Sequence, residues 1–293
     1  MTAPGFWRSP LDPERVIQLP VAHWQDSEQQ QREEHLAVEE PLEIRLDGRS
    51  LAVIMRTPGH DFELACGFLF SEGIIQSHAD ILSIEDAVDA DGLPLANVVD
   101  VALRSSSTDI NGASENPSDA PAFQRHFAVS ASCGLCGKNS IADLLCNIPP
   151  LIEDGTRIAP ATLYTLTAHL RAQQDVFSHT GGLHAAGLFT SAGELRLLRE
   201  DVGRHNAVDK LIGHGLLHPT LPTLPYSQHI LLVSGRTSFE IIQKALMARI
   251  PCIAAISAPS SLAVELADTG GITLIGFLRD HTMNVYTHPE RIG

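Results

Sequence analysis

Between residues 229 and 276 the chain twice follows one plan: an apolar run of strand length, a short Ser-rich turn, then an amphipathic run of helix length. HILLV passes through Ser234-Gly235-Arg236-Thr237 into SFEIIQKALM, and CIAAI passes through SAPSS into LAVELADTGG. A third apolar run, ITLIGF, follows. Strands that are apolar on both faces and alternate with helices predict a parallel sheet covered on both sides. The first helix should be capped near Thr237 or Ser238. The expectation for residues 126–293 is therefore an α/β sandwich.

The front of the chain reads differently. LEIRLDGRSLAVIMR alternates apolar and polar residues around Asp47-Gly48, a strong hairpin signal. Thr57 and Pro58 are positioned to open a helix with Phe62, Leu64, Ala65, Phe68 and Leu69 on one broad face, and Gly73 to end it. Val98–Leu103 reads as another strand. These elements predict a small α+β domain over residues 36–125, closed by a linker at 104–125 dense in Ser, Asn, Asp, Gly and Pro. Residues 1–35 show no clear periodicity and are expected to form a flexible arm.

Composition narrows the function. With 293 residues and 44% hydrophobic content the chain can bury a large core or two modest ones. A net charge of -15 argues against a nucleic-acid binder, because phosphate backbones select basic surfaces. It leaves room for a phosphorylated small molecule in a locally basic pocket. Neither a basic start followed by an apolar stretch nor an uncharged run of bilayer length is found, so a cytoplasmic protein without a membrane span is expected. Five cysteines, an odd number, point to a reducing compartment rather than a disulfide framework.

Cys133 and Cys136, in SASCGLCGKNS, carry the most chemistry. Two thiols at this spacing can form a disulfide, share a soft metal or act as thiolates, and each lowers its neighbour's pKa, with Lys138 favouring the thiolate further. Gly134 and Gly137 leave the sulfurs approachable. A structural zinc site needs two more ligands, and this reading assigns no second Cys-x-x-Cys and no His-x3-His pair to it. A thioredoxin-like motif would close the first strand of a βαβ unit, whereas here a polar linker precedes it. A zinc deaminase carries His-x-Glu before Pro-Cys-x-x-Cys. In this chain the cysteines come first, and His184 is followed by Ala185-Ala186.

Taken together, RTPGHDFELACGFLFSEGII, CGLCGK, TGGLHAAGLF, REDVGRHNAVDKLIG, SGRTSFEIIQKA and GFLRDHTMNVYTHPERI resemble the FdhD family, the formate dehydrogenase accessory sulfurtransferases. The resemblance covers roughly residues 35–293. It implies a cytidine-deaminase-like α/β/α sandwich without deaminase chemistry, a smaller attached domain and a homodimer. It also implies a sulfur carrier that takes persulfide sulfur from a cysteine desulfurase. The sulfur would pass to the molybdenum bis(molybdopterin guanine dinucleotide) cofactor, bound transiently as substrate, before insertion into formate dehydrogenase. The persulfide is expected on Cys133, with Cys136 in support.

Ser234, Gly235, Arg236 and Thr237 are candidate phosphate binders, since they join a strand end to a helix N-terminus and Arg236 adds a bidentate charge. Phe277, Leu278, Arg279, Asp280, His281 and Thr282 match the stretch with which the family holds its cofactor. Asp201, His205 and Asn206 are weighed as further contacts, against a plain polar turn. His184 is expected to be a satisfied core or turn histidine, and Arg56, Thr57 and His60 to be caps and surface. Cys66, Cys146 and Cys252 are expected in the core. Two other functions fit the motifs: a chaperone that only binds the cofactor, and a Cys-x-x-Cys thiol-disulfide oxidoreductase.

Overall fold

The computed structural model describes residues 7–8, 14–104, 150–151, 155–218 and 222–293. Cys133, Cys136 and Cys146, the linker after residue 104 and the boundary expected near residue 125 lie outside the described residues.

Three sheets are present. A short strand β1 (Trp7–Arg8) pairs with β2 (Val16–Gln25), which forms a ten-residue antiparallel hairpin with β3 (Glu28–Ala37). The sequence reading expects only an arm here. Its pattern hides the hairpin because β3, EQQQREEHLA, is polar on both faces and almost wholly exposed, so no period-2 signal arises. At its base Val16 is buried against Val176 and Leu183, which ties the hairpin to the rest of the molecule.

The second sheet has four strands in the order β5-β4-β7-β6. Strands β4 (Glu40–Leu46) and β5 (Arg49–Arg56) flank the expected turn, where Asp47 and Gly48 both take positive φ, 49° and 75°. Such a turn matches the twist of paired strands. Leu42, Ile44 and Leu46 alternate inward along β4. Strand β7 (Pro94–Leu103) lies parallel to β4 and antiparallel to β6 (Ile81–Val88).

The third sheet carries the strand–turn–helix units. Its order is β13-β12-β11-β10-β8-β9. Strands β10 (His229–Val233), β11 (Cys252–Ala255) and β12 (Thr273–Gly276) are parallel, as expected. The sheet as a whole is mixed, however. Strands β8 (His184–Thr190) and β9 (Leu195–Asp201) run as a hairpin antiparallel to β10, and β13 (Asn284–Thr287) is antiparallel to β12. A tight connection at residues 191–194 allows only an antiparallel return, which the apolar content of β8 does not reveal.

Helices cover both faces, and alternate residues of each strand serve them. Ile230 and Leu232 face α2 (Pro160–Ala172), whose Leu163, Leu166 and Leu170 are buried there. Leu231 and Val233 face the other layer, which contains α4 (Arg204–Leu217), α5 (Phe239–Met247) and α6 (Ser261–Gly270). A short α3 (Asp175–Thr180) precedes β8.

The helix of the front section, α1 (Asp61–Ser71), lies between the two larger sheets. It packs on the four-stranded sheet and along α4, so one continuous core runs from Leu42 and Val99 through Leu64 and Leu211 to Leu231 and Leu274. Helix α1 starts at Asp61 rather than at Thr57. The reason is tertiary: Thr57 is buried, its N–H donates to Asp201 Oδ2 and its carbonyl accepts from Lys210 Nζ. Gly59 and His60 then turn the chain into the helix with φ of 93° and 60°.

Candidate functional site

The carboxyl ends of β10, β11 and β12 form one edge, and both predicted binding segments meet there. The Thr237 N–H donates to Ala258 O at 3.2 Å, and Ser260 N–H donates to Thr237 O at 3.0 Å. The turn after β11 reaches onward to the next segment, with Phe277 N–H donating to Ser257 O at 3.2 Å. These bonds lock the 234–237, 257–260 and 277–282 segments into a single surface at strand ends, where α/β sheets bind ligands.

Each residue has a distinct setting. Ser234 is tied to β8, its N–H donating to Ala185 O and its hydroxyl accepting from Ala185 N–H. Gly235 is buried, and a Cβ there would stand 3.2 Å from His184 Nδ1 and 3.4 Å from Arg204 Cδ. The missing side chain therefore lets His184 and Arg204 lie against the turn. Arg236 is exposed and has no ion pair among the described residues. Thr237 is 1% exposed, and its Oγ1 is buried without a hydrogen-bond partner among the described residues. Arg204 Nε is in the same condition. Buried polar atoms left unpaired are costly, which marks this edge as a place where a polar ligand can be received.

The 277–282 segment divides. Phe277 is 42% exposed with φ of 53°, and Arg279, Asp280, His281 and Thr282 are exposed. Arg279 Nη1 donates to Ile256 O at 2.5 Å and to Leu278 O at 3.0 Å, so its guanidinium caps the end of β11. Leu278 is a correction. It is wholly buried among the residues facing α2, leaving only backbone for a ligand.

Other expectations separate in the same way. His205, at the start of α4, reaches the edge, with Nε2 3.0 Å from Ser238 Oγ and 3.3 Å from Glu240 Oε2. Burial drives its pKa down to about 4, against the pull of Glu240, so the ring is neutral near pH 7. His184 is half-buried beside Gly235, and burial followed by the Arg204 charge lowers its pKa. It belongs to the edge rather than to the core. Asp201 does not reach it: wholly buried, it accepts from Thr57 N–H, Gly203 N–H, Asn206 Nδ2 and Lys210 Nζ. Asn206 is spent there and on Met55 O. Arg56 is no surface cap either. It is 2% exposed and donates to Asp61, Glu40 and Asn97. Cys66 and Cys252 lie in the core as expected, and burial pushes both thiols up to about 12, which keeps them protonated and inert.

A second constellation escapes the sequence reading. Glu63 on α1 meets His214 on α4 and His218 just past the end of that helix, with His60 at its rim. Burial pushes the Glu63 carboxyl up, but the hydrogen bonds and charge of Arg199, with His214, outweigh it and hold the pKa below the usual carboxylate range. The His-x3-His spacing passed over in the zinc reading is present at His214 and His218, and it is the signal that finds this site.

Comparisons with known proteins agree in one direction. A family model described as the FdhD/NarQ family matches residues 37–293. A relative from Streptomyces coelicolor, called sulfur carrier protein FdhD, is 48% identical over 273 residues, covering 89% of this chain and 90% of its own. One of the same name from Sulfurisphaera tokodaii is 44% identical over 263 residues, covering 89% of this chain and 92% of its own. Among solved structures, a putative formate dehydrogenase accessory protein from Desulfotalea psychrophila matches with a TM-score of 0.69 and 25% identity, covering 95% of this chain and all of its own.

Proposed function

The chain belongs to the FdhD/NarQ family, and from that premise we propose that it is a sulfur carrier serving formate dehydrogenase. The Cys133 thiolate attacks the outer sulfur of a cysteine desulfurase persulfide. A new S–S bond forms on Cys133, the donor's S–S bond breaks, and the donor cysteine leaves as thiolate. For delivery, the Cys136 thiolate attacks Cys133 Sγ, closing a disulfide and releasing the outer sulfur as hydrosulfide. The two electrons that reduce the sulfur come from the cysteine pair, and a thiol reductant reopens the disulfide.

The acceptor in this reading is the molybdenum bis(molybdopterin guanine dinucleotide) cofactor, bound transiently as substrate at the carboxyl edge. The observation that carries it is the convergence of three turn segments around Thr237 Oγ1 and Arg204 Nε, both without a hydrogen-bond partner among the described residues. Arg204, Arg236 and Arg279 offer guanidinium groups to the dinucleotide phosphates in a chain that is otherwise acidic. The loaded cofactor then passes to formate dehydrogenase in the cytoplasm, from a homodimeric carrier. No helix among the described residues is long and apolar enough to cross a membrane.

The test is intact-protein mass spectrometry after incubation with an active cysteine desulfurase and cysteine. Wild type should gain sulfur that reductant removes, and Cys133→Ala should not. An unchanged wild-type mass would instead support a chaperone that binds the cofactor without carrying sulfur. Turnover of a generic disulfide, with a Cys133–Cys136 bridge that cycles, would support the oxidoreductase.

A further inference from the structure

The seam between α1 and α4 holds groups that sulfur transfer does not use. Glu63 Oε1 lies 3.1 Å from His214 Nδ1 and 3.2 Å from His218 Nε2. One ligand atom from each of the three residues falls within 4.8 Å of the others. His214 lies in the last turn of α4, and His218 is the residue that caps it, its N–H donating to His214 O. Their approach to Glu63 is fixed by main chain: a Cβ on Gly213 would come 1.8 Å from Glu63 O, and one on Gly67 the same distance from Asp209 O. Two helices in backbone contact hold Glu63 and His214 more firmly than loops would.

A cleft of about 550 Å³ opens beside this group. Glu14, Glu40, Asp61 and Glu63 line it with Arg56, and even with Arg199 paired to Glu63 the four carboxylates outnumber the two guanidinium groups, so its field favours cations. His60 also lines the cleft, with Nδ1 3.5 Å from Glu63 Oε2.

We propose that Glu63, His214 and His218 bind a divalent transition cation of the zinc class, with a further coordination position open to the cleft. Two imidazoles and one carboxylate suit such an ion, whereas magnesium and calcium select oxygen ligands. Three protein ligands, rather than four, are the pattern of a site that admits another group. Arg199 competes for the same lone pairs. Its Nε and Nη2 lie 2.6 and 2.8 Å from the Glu63 carboxylate, and Nη2 lies 3.0 Å from His214 Nδ1. The cation therefore binds in exchange for a guanidinium, which keeps the carboxylate paired when no metal is bound.

The proposal is independent of sulfur transfer and is tested without it. Co2+ serves as the probe, in the full chain with Cys133→Ser and Cys136→Ser so that no thiolate of the pair contributes. One equivalent should give visible d–d absorption without a thiolate charge-transfer band, and Zn2+ should displace it. His214→Ala and His218→Ala should each weaken binding by more than about tenfold, the least expected even for an outer-shell partner. Arg199→Met should tighten it. His218 is 47% exposed, so its replacement tests the site even where His214→Ala fails to fold, as circular dichroism would show. No d–d band in the Cys133→Ser, Cys136→Ser protein overturns the site, as does a band indifferent to His218→Ala. Binding that Arg199→Met leaves unchanged or weakens overturns the exchange.

Discussion

Lys210 Nζ lies 2.7 Å from Asp201 Oδ2, with both side chains wholly buried. The pair joins distant parts of the chain, because Asp201 also accepts from Thr57 N–H and Lys210 also donates to Thr57 O. Burial pushes the Lys210 ammonium pKa down, and the Asp201 charge opposes that. An ion pair of this kind is worth little against an apolar pair of the same shape, but removing one partner strands the other.

Lys210→Met should therefore lower unfolding stability by about 3–5 kcal/mol, read from urea denaturation. The double variant Lys210→Met with Asp201→Asn should recover part of the loss. A single variant as stable as wild type would mean that water reaches Asp201.

The α1–α4 contact gives a sharper steric test. Gly213→Ala and Gly67→Ala each place a methyl 1.8 Å from a backbone oxygen of the facing helix. Backbone cannot swing aside as a side chain can, so the helices must separate. Overpacking of this kind costs about 1–3 kcal/mol or more, which outweighs the gain of up to about 1 kcal/mol in helix propensity. Thermal unfolding should show both variants less stable than wild type, and a melting point raised by either would refute the tight seam.

These contacts also show what the sequence could tell. The units at 229–276 were legible because apolar strands, Ser-rich turns and amphipathic helices are each local signals, and Asp47-Gly48 announced its hairpin in the same way. At the candidate edge, the position of 234–237 and 277–282 after strands was legible locally, whereas the choice of 277–282 rests on the family resemblance. Glu63 was not, because its partners lie about 150 residues away and only the fold brings them together. Arg56 misled for a related reason: a guanidinium reads as surface until Glu40, Asp61 and Asn97 are known to surround it. Asp201 misled on the same ground: weighed as a cofactor contact or part of a polar turn, it is buried against Lys210.

His205 predicts a pH dependence. Its pKa is about 4 in the folded chain and about 6.5 in the unfolded one. Between those values the unfolded chain takes up a proton that the folded chain refuses, so stability present above the unfolded pKa is lost as pH falls toward 4. From pH 7 to pH 5 this group should account for about 2 kcal/mol. His205→Gln should shrink the difference between urea midpoints at those two pH values. An unaltered difference would show that the ring charges freely where it stands beside Ser238 and Glu240.

Thr237 separates a binding role from a structural one. Its Oγ1 is buried and unpartnered among the described residues, while its backbone N–H and C=O are both engaged by the neighbouring turn. Thr237→Val keeps the shape and removes the unmet hydroxyl, so the fold should be unharmed or gain up to about 1 kcal/mol. If the hydroxyl meets a phosphate oxygen of the guanine dinucleotide, the same change should weaken binding of GDP, the fragment that carries those phosphates, by about tenfold or more. Thr237→Ser should restore it, and Arg236→Ala should weaken it while flattening its salt dependence. Calorimetric titration with GDP, paired with thermal unfolding of each variant, reads both effects. A Thr237→Val protein that binds GDP as wild type does would move the nucleotide away from this strand edge, and one that melts well below wild type would make the hydroxyl a structural group after all.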